Sequence, residues 1–389
     1  MRRSGEPSRR AGGSGLLALA GLLLLGAAPA DGQVRLHDLV FTGGFSVEGY
    51  DGNFAAVTVP IVDSTDHATA AVGEFGTRGE LRLVDDLADP TAPRLLALRF
   101  DAGLRQFAAA GFELRDYAPR EWVGRMDLTW WQQVGRIGAL NVDGTLRGRT
   151  VEDRPPMPLF LQPGYVTARG AVGFRTRPIQ NVSLDLEFVA ETADYEGIPE
   201  LPQLDLLDRR DLGVELGAET GSGVWRLRFR GAFRDTEYAQ QASFEPDDPF
   251  RRDRTVEIGA RWRLDDAGRL NAALGVEGIL NRSNSKRPEY DAVSVEGSLA
   301  LPLPWWRLGV NLYGVLTAKS YVHETPFDRL VPGEEADNAS LLYLDLNRPL
   351  VPGLDGALRF GWTRAETDIG ESYYSRFGVS VLLNYRPRL

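Results

Sequence analysis

The sequence predicts an all-β protein, a transmembrane antiparallel up-and-down β-barrel of about eighteen strands, with about sixteen also possible. Three observations support this fold class. Apolar and polar residues alternate through most of the chain after residue 30, short and long connections follow one another, and tryptophans gather near the short connections. Together they indicate strands that cross a bilayer, because such strands present one face to lipid and the other to a wet interior.

The alternation is clearest in residues 223–234, GVWRLRFRGAFR. Successive side chains of a strand point to opposite faces, so the apolar residues share one face and the intervening arginines share the other. A soluble sheet would turn the apolar face to its core, whereas a transmembrane barrel turns it to lipid. Similar segments, each about as long as a tilted transmembrane strand requires, occur at 181–190, 211–219, 271–280 and 376–385.

The connections alternate in length. Glycine or proline marks short ones, which are expected at Gly135, 177–180, 220–222, 265–268 and 302–304. Longer polar connections are expected near 150–163, 192–210, 235–252, 283–289, 320–337 and 367–372. Short periplasmic turns and long extracellular loops are typical of outer-membrane barrels, which have an even number of strands.

Tryptophans give an independent indication. Rings of this amphipathic kind favour the depth of the lipid headgroups, where they form a girdle. The residues predicted to form the periplasmic aromatic girdle are Trp130, Trp131, Trp225, Trp262, Trp305 and Trp306.

The first thirty residues predict a cleaved secretory signal peptide. Arginines form a basic start, residues 16–25 form a short apolar run, and Ala28-Pro29-Ala30 supplies a cleavage site. Residues 31–389 are then expected to be one outer-membrane barrel domain, exported through the general secretory route. The chain has no cysteine for a disulfide framework, and its formal charge of −10 argues against a nucleic-acid partner.

The inward face carries the candidate functional residues. The predicted lumen-lining groups are Arg226, Arg228, Arg230, Arg261, Arg263, Arg307, Glu215, Glu257, Glu277 and Asp185. One interpretation is that they solvate a water-filled wall and pair with one another. A second is an arginine track that favours anions, and a third is a lumen closed by an inward-folded loop such as 236–252. If the hairpin closes around 220–223, Glu215 is expected directly opposite Arg228.

No residues predict a catalytic site, a cofactor or a metal centre. A base near neutral pKa is needed for hydrolytic catalysis, and the chain has only His37, His67 and His323, none beside a nucleophile on a strand. The loop carboxylates to watch for calcium are Asp247, Asp248 and Asp253. Their spacing does not match a known calcium loop, so they are expected to be solvated.

The chain resembles bacterial outer-membrane β-barrels of the porin and channel type in architecture. Its last strand is similar to the assembly signal of such barrels, through Arg376, Gly378, Val381 and Leu383, although Arg386 to Leu389 follow where a terminal aromatic is usual. The resemblance implies contact with the barrel-assembly machinery, membrane lipids and lipopolysaccharide. It leaves the oligomeric state open.

Three functional hypotheses follow. The leading one is a channel that passes small polar or anionic solutes, or an exported anionic polymer, passively through a charged lumen. The second is a non-conducting barrel that displays surface loops for partner binding or adhesion. The third is a soluble extracytoplasmic β-protein, which would be extracted without detergent.

Overall fold

The computed structural model describes residues 33–52, 68–85, 94–110, 118–153, 164–196, 207–245, 247–266, 269–285, 289–323, 340–366 and 373–387. These residues form sixteen β-strands and one 3-10 turn at Pro304–Trp306. The strands are β1 Gln33–Gly52, β2 Ala68–Asp85, β3 Arg94–Ala110, β4 Arg120–Val134, β5 Gly138–Glu152, β6 Tyr165–Thr176, β7 Val182–Tyr195, β8 Arg209–Ser222, β9 Trp225–Glu245, β10 Asp248–Asp266, β11 Leu270–Ser283, β12 Tyr290–Leu303, β13 Leu308–Tyr321, β14 Ser340–Val351, β15 Leu354–Glu366 and β16 Tyr373–Tyr385.

The strands close into one barrel. Each strand pairs antiparallel with its neighbours along the chain, and β1 pairs with β16 to complete the circle. The predicted fold class is confirmed, with sixteen strands rather than the larger expected number. Closure leaves no strand edge unpaired, which is the condition for a β-structure in lipid.

The structure differs from the prediction at 235–252, which was expected to be a long loop. The hairpin of β9 and β10 instead continues to Glu245 and Asp248, and these two strands have 21 and 19 residues. A register shift between Phe250 and Arg252 accommodates the polar residues that suggested a loop. The described residues of this segment, 235–245 and 247–252, therefore contain no loop that folds into the lumen.

Six short connections lie at one end of the barrel, together with the first residues of β1 and the last residues of β16. They are 135–137, 177–181, 223–224, 267–269, 304–307 and 352–353. The opposite end is called the loop end, although β9 and β10 are joined there by only two residues. The turn after β8 falls at 223–224 rather than at 220–222, because Gly223 adopts the positive φ of 60° that a two-residue hairpin needs. The turn at 352–353, with Gly353 at φ 81°, was not predicted.

The apolar face of the strands points outward. Phe45, Phe188 and Ile258 are each at least 60 % exposed, and similar residues surround the whole barrel. This is the reverse of a soluble sheet, where such side chains form the core. Residues 223–234 follow the same rule, since Trp225, Phe229 and Phe233 of β9 are exposed on the outside.

Most of the predicted girdle tryptophans lie on the outer face of the barrel. Trp225, Trp262 and Trp306 are exposed near the short-turn end. Trp130 shares the outer face of β4 with Trp122, which is exposed at the opposite end and was not predicted.

Trp131 was wrongly assigned to the girdle. Neighbouring residues of a strand alternate, so Trp131 lies on the inner face with Asp127 of the same strand. The side chain of Trp305 lies outside the described residues.

The last strand places the predicted assembly signal on both faces. Val381 and Leu383 are exposed outward, whereas Arg376 and Gly378 lie on the inner face of β16. Its role in assembly stays a prediction. The predicted signal peptide, 1–30, lies outside the described residues. Among those that are described, no helix is long and apolar enough to span a bilayer.

Candidate functional site: the inner wall

Every second residue of each strand points into the barrel, so the charged side chains of neighbouring strands lie next to one another on the inner wall. Its centre is Arg230 of β9, whose guanidinium lies 3.0 Å from Glu215, 3.3 Å from Glu257 and 3.3 Å from Glu277. These three carboxylates come from β8, β10 and β11. Arg230 is therefore neutralised on every side by the wall itself.

The register around Arg228 differs from the prediction. Residue Glu219, not Glu215, lies directly opposite Arg228, and Glu215 lies opposite Ala232. The expectation was wrong because it placed the centre of the turn two residues too early. In the observed register Arg230 lies opposite Gly217, two residues from Glu215, and this diagonal neighbour forms the 3.0 Å contact.

Arg228 instead binds a carboxylate two strands away. Its Nη2 donates to Asp185 Oδ2 at 2.8 Å, so the side chains of β7 and β9 meet above β8. Gly217 of β8 makes this possible, because a Cβ there would lie 2.3 Å from Asp185 Oδ2. Arg261 reaches Glu296 at 3.2 Å in the same way, above Gly275.

The loop end of the inner wall contains a chain of buried charges that the sequence analysis missed. Arg105 donates to Glu121 at 2.9 Å and also pairs with Glu48, while Arg149 donates to Glu121 at 2.6 Å. These four residues come from β1, β3, β4 and β5. Alternation would have placed each on the inner face, but nothing local indicates that they meet or that they are buried.

A second buried cluster stabilises the extended β9–β10 hairpin. Arg251 donates to Asp253 at 3.0 Å and to Gln241 at 2.8 Å, and its guanidinium lies 4.1 Å from the Tyr238 ring centre. Stacking of this kind suits a planar guanidinium. The hairpin is therefore a packed structure rather than a solvated loop.

The carboxylates considered for calcium are mostly occupied by protein groups. Asp253 binds Arg251, and Asp248 accepts from Asn284 at 3.2 Å. Asp247 is exposed in the turn. Within the described ranges no three histidine, aspartate or glutamate side chains group closely enough to hold a metal ion.

Exposure of the wall arginines rises toward the short-turn end. The side chains of Arg261 and Arg263 are 50 % and 58 % exposed, whereas Arg149 and Arg251 at the loop end are 10 % and 6 % exposed. Arg307 was predicted on the wall, but it ends the 3-10 turn with a left-handed φ of 52° and so lies in the rim.

The histidines remain apart. His323 pairs through Nε2 with Glu289 at 2.8 Å, and His37 lies at an irregularity in β1. His67 is outside the described residues.

A closed sixteen-stranded barrel, apolar outside and charged inside, has the architecture of porin-type transmembrane proteins. The sequence matches no protein-family model and no curated protein.

Several solved structures of outer-membrane channels are similar in outline. The outer membrane channel DcaP of Acinetobacter baumannii has a TM-score of 0.46 and 12 % identity, and covers 92 % of this chain and 99 % of its own. OprD of Pseudomonas aeruginosa has a TM-score of 0.38 and 12 % identity, with 92 % and 98 % covered. A bacterial polysaccharide outer membrane secretin has a TM-score of 0.38 and 11 % identity, with 91 % and 100 % covered. Likeness at this level assigns no function.

Proposed function

We propose that the protein is an outer-membrane channel that passes small polar solutes passively through its charged lumen. One observation carries the proposal: the barrel is closed by sixteen strands that are apolar outside and charged inside. Barrels of about 16–18 strands are wide enough to leave an aqueous lumen. A barrel that served only as an anchor needs far fewer strands.

Open space within the barrel supports the proposal. A cavity of about 770 Å³ lies against one continuous stretch of the wall, formed by β13–β16 and β1–β4. Inward-facing Thr42, Arg78, Asn311, Asn347 and Asn384 contribute to its lining. Groups of this kind hydrogen-bond water and polar solutes without holding them tightly.

The mechanism follows from the pairing of charges. Most wall arginines are matched by carboxylates, as Arg230 is by three glutamates, so the wall has no strong field of one sign along its whole length. Passage then depends on size and on local charge rather than on an energy source. Export through the general secretory route and contact with lipopolysaccharide belong to the same proposal.

A second candidate is a non-conducting barrel that displays loops. The observation in its favour is burial at the loop end, where Val72, Phe107 and Glu121 of the inner wall are all below 9 % exposed. A lumen filled at that end would block passage. Conductance separates the two candidates.

The test is single-channel recording of detergent-purified, heat-modifiable protein in planar bilayers, with the reversal potential measured under a KCl gradient. The proposal expects steady openings whose conductance rises with salt. Folded and inserted protein that gives no openings would refute the channel and favour the loop-displaying barrel.

A further inference from the structure

Two successive rows of the inner wall place arginine directly opposite arginine. Arg228 of β9 faces Arg261 of β10, and in the next row toward the short turns Arg226 faces Arg263. We call these four residues the arginine quartet. Like charges directly opposite each other destabilise a sheet, so the arrangement has a cost that the neighbouring Arg230 does not have.

The carboxylates around the quartet lie at its outer edges. Arg228 is drawn toward Asp185 on β7 and Arg261 toward Glu296 on β12, which is in opposite directions. Arg263 has one distant partner, Asp265 at 3.6 Å. Among the described residues, no carboxylate bridges the middle of the quartet over the β9–β10 pair.

Arg226 is the least satisfied member. In the described part of the chain, Arg226 forms no ion pair with a carboxylate within 4.0 Å, and the residue is exposed. Glu219 lies opposite Arg228 on the β8 side, two residues from Gly221, which lies opposite Arg226. The quartet thus combines exposed guanidiniums with partners held to the sides.

We propose that the arginine quartet is a binding site for oxyanions, so that solutes carrying a phosphate or carboxylate group are bound transiently near the short-turn rim. The planar fork of each guanidinium fits two oxygens of such a group. Three of the four residues, Arg226, Arg261 and Arg263, are exposed, so solvent reaches their guanidiniums. The site extends the proposed function, because a channel solute must reach it through the lumen.

Weak binding is measurable without any current. The experiment titrates inorganic phosphate into protein in octyl glucoside and follows the transverse relaxation of the ³¹P signal, then repeats the titration with acetate competing. The test variant is Arg226→Gln with Arg263→Gln. The matched control, Arg125→Gln with Arg359→Gln, removes the same charge from inner-wall arginines held by Asp127 at 2.6 Å and by Asp345 at 2.7 Å.

The proposal expects saturable broadening in the wild type, at least a tenfold weaker affinity in the quartet variant, and little change in the control. Competition by acetate would show a general oxyanion site, and its failure would restrict the site to phosphate. Single Arg226→Gln, which removes no described ion pair, replaces the double variant should that fail to fold. An equally weakened phosphate affinity in both double variants, or the absence of saturation in the wild type, would overturn the proposal. A blocked lumen would instead appear as absent conductance with binding intact.

Discussion

Arg230 gives the sharpest test of how the inner wall contributes to stability. Arg230→Gln removes one charge that three glutamates share, at 3.0 Å, 3.3 Å and 3.3 Å. Two of them keep a second, more distant partner: Arg169 lies 3.6 Å from Glu215 and Arg234 lies 3.7 Å from Glu257. Glu277 loses the only ion pair that the described residues give it.

The expected loss follows from these contacts. Partly exposed ion pairs contribute about 0.2–1 kcal/mol each. The Arg230 side chain is 34 % exposed, so the lower half of that range applies to each of three pairs. The free energy of unfolding should fall by about 0.6–1.8 kcal/mol.

The assay is reversible urea unfolding from lipid vesicles, followed by tryptophan fluorescence. Arg263→Gln on the neighbouring strand is the control, because its one pair at 3.6 Å joins two half-exposed side chains and should contribute less than about 0.5 kcal/mol. Adding Glu277→Gln to Arg230→Gln should recover part of the loss. Equal stability of Arg230→Gln and the wild type would refute the three-carboxylate account.

Three further predictions test the lipid face of β9, the close approach of Asp185 to Gly217, and the pairing of β1 with β16 that closes the barrel. Phe229→Arg places a charge on the lipid face and should cost about 2–4 kcal/mol at mid-bilayer, seen as loss of heat-modifiable protein in vesicles. Gly217→Val should displace Asp185, since even a Cβ would lie 2.3 Å from its carboxylate; a crystal structure with that carboxylate unmoved would contradict this. Cysteines at Val47 and Val379, opposite each other across the β1–β16 seam, should crosslink in this otherwise cysteine-free chain, and a persistently open chain on denaturing gels would argue against closure.

The sequence by itself determined which face each strand residue takes. Alternation is a property of neighbouring residues, so Trp225 and Phe229 could be assigned outward from the letters alone. The exception was the adjacent pair Trp130 and Trp131. Both lie close to a turn, but neighbouring residues of a strand take opposite faces, so only Trp130 faces outward.

Register, by contrast, was decided only in the folded barrel. The pairing of β8 with β9 depends on a two-residue turn, and an error of a few residues moved the partner of Arg228 from Glu219 to Glu215. Turn length depends on backbone dihedrals at positions such as Gly223, which composition does not specify uniquely.

The tertiary structure also decided which charges meet and which are free. The three carboxylates of Arg230 lie 15, 27 and 47 residues away along the chain, and Asp185 reaches Arg228 only because Gly217 leaves room between them. Barrel curvature and strand order bring such groups together. The sequence could therefore identify the residues of the inner wall, but only the folded barrel shows that Arg230 is neutralised and Arg226 is exposed.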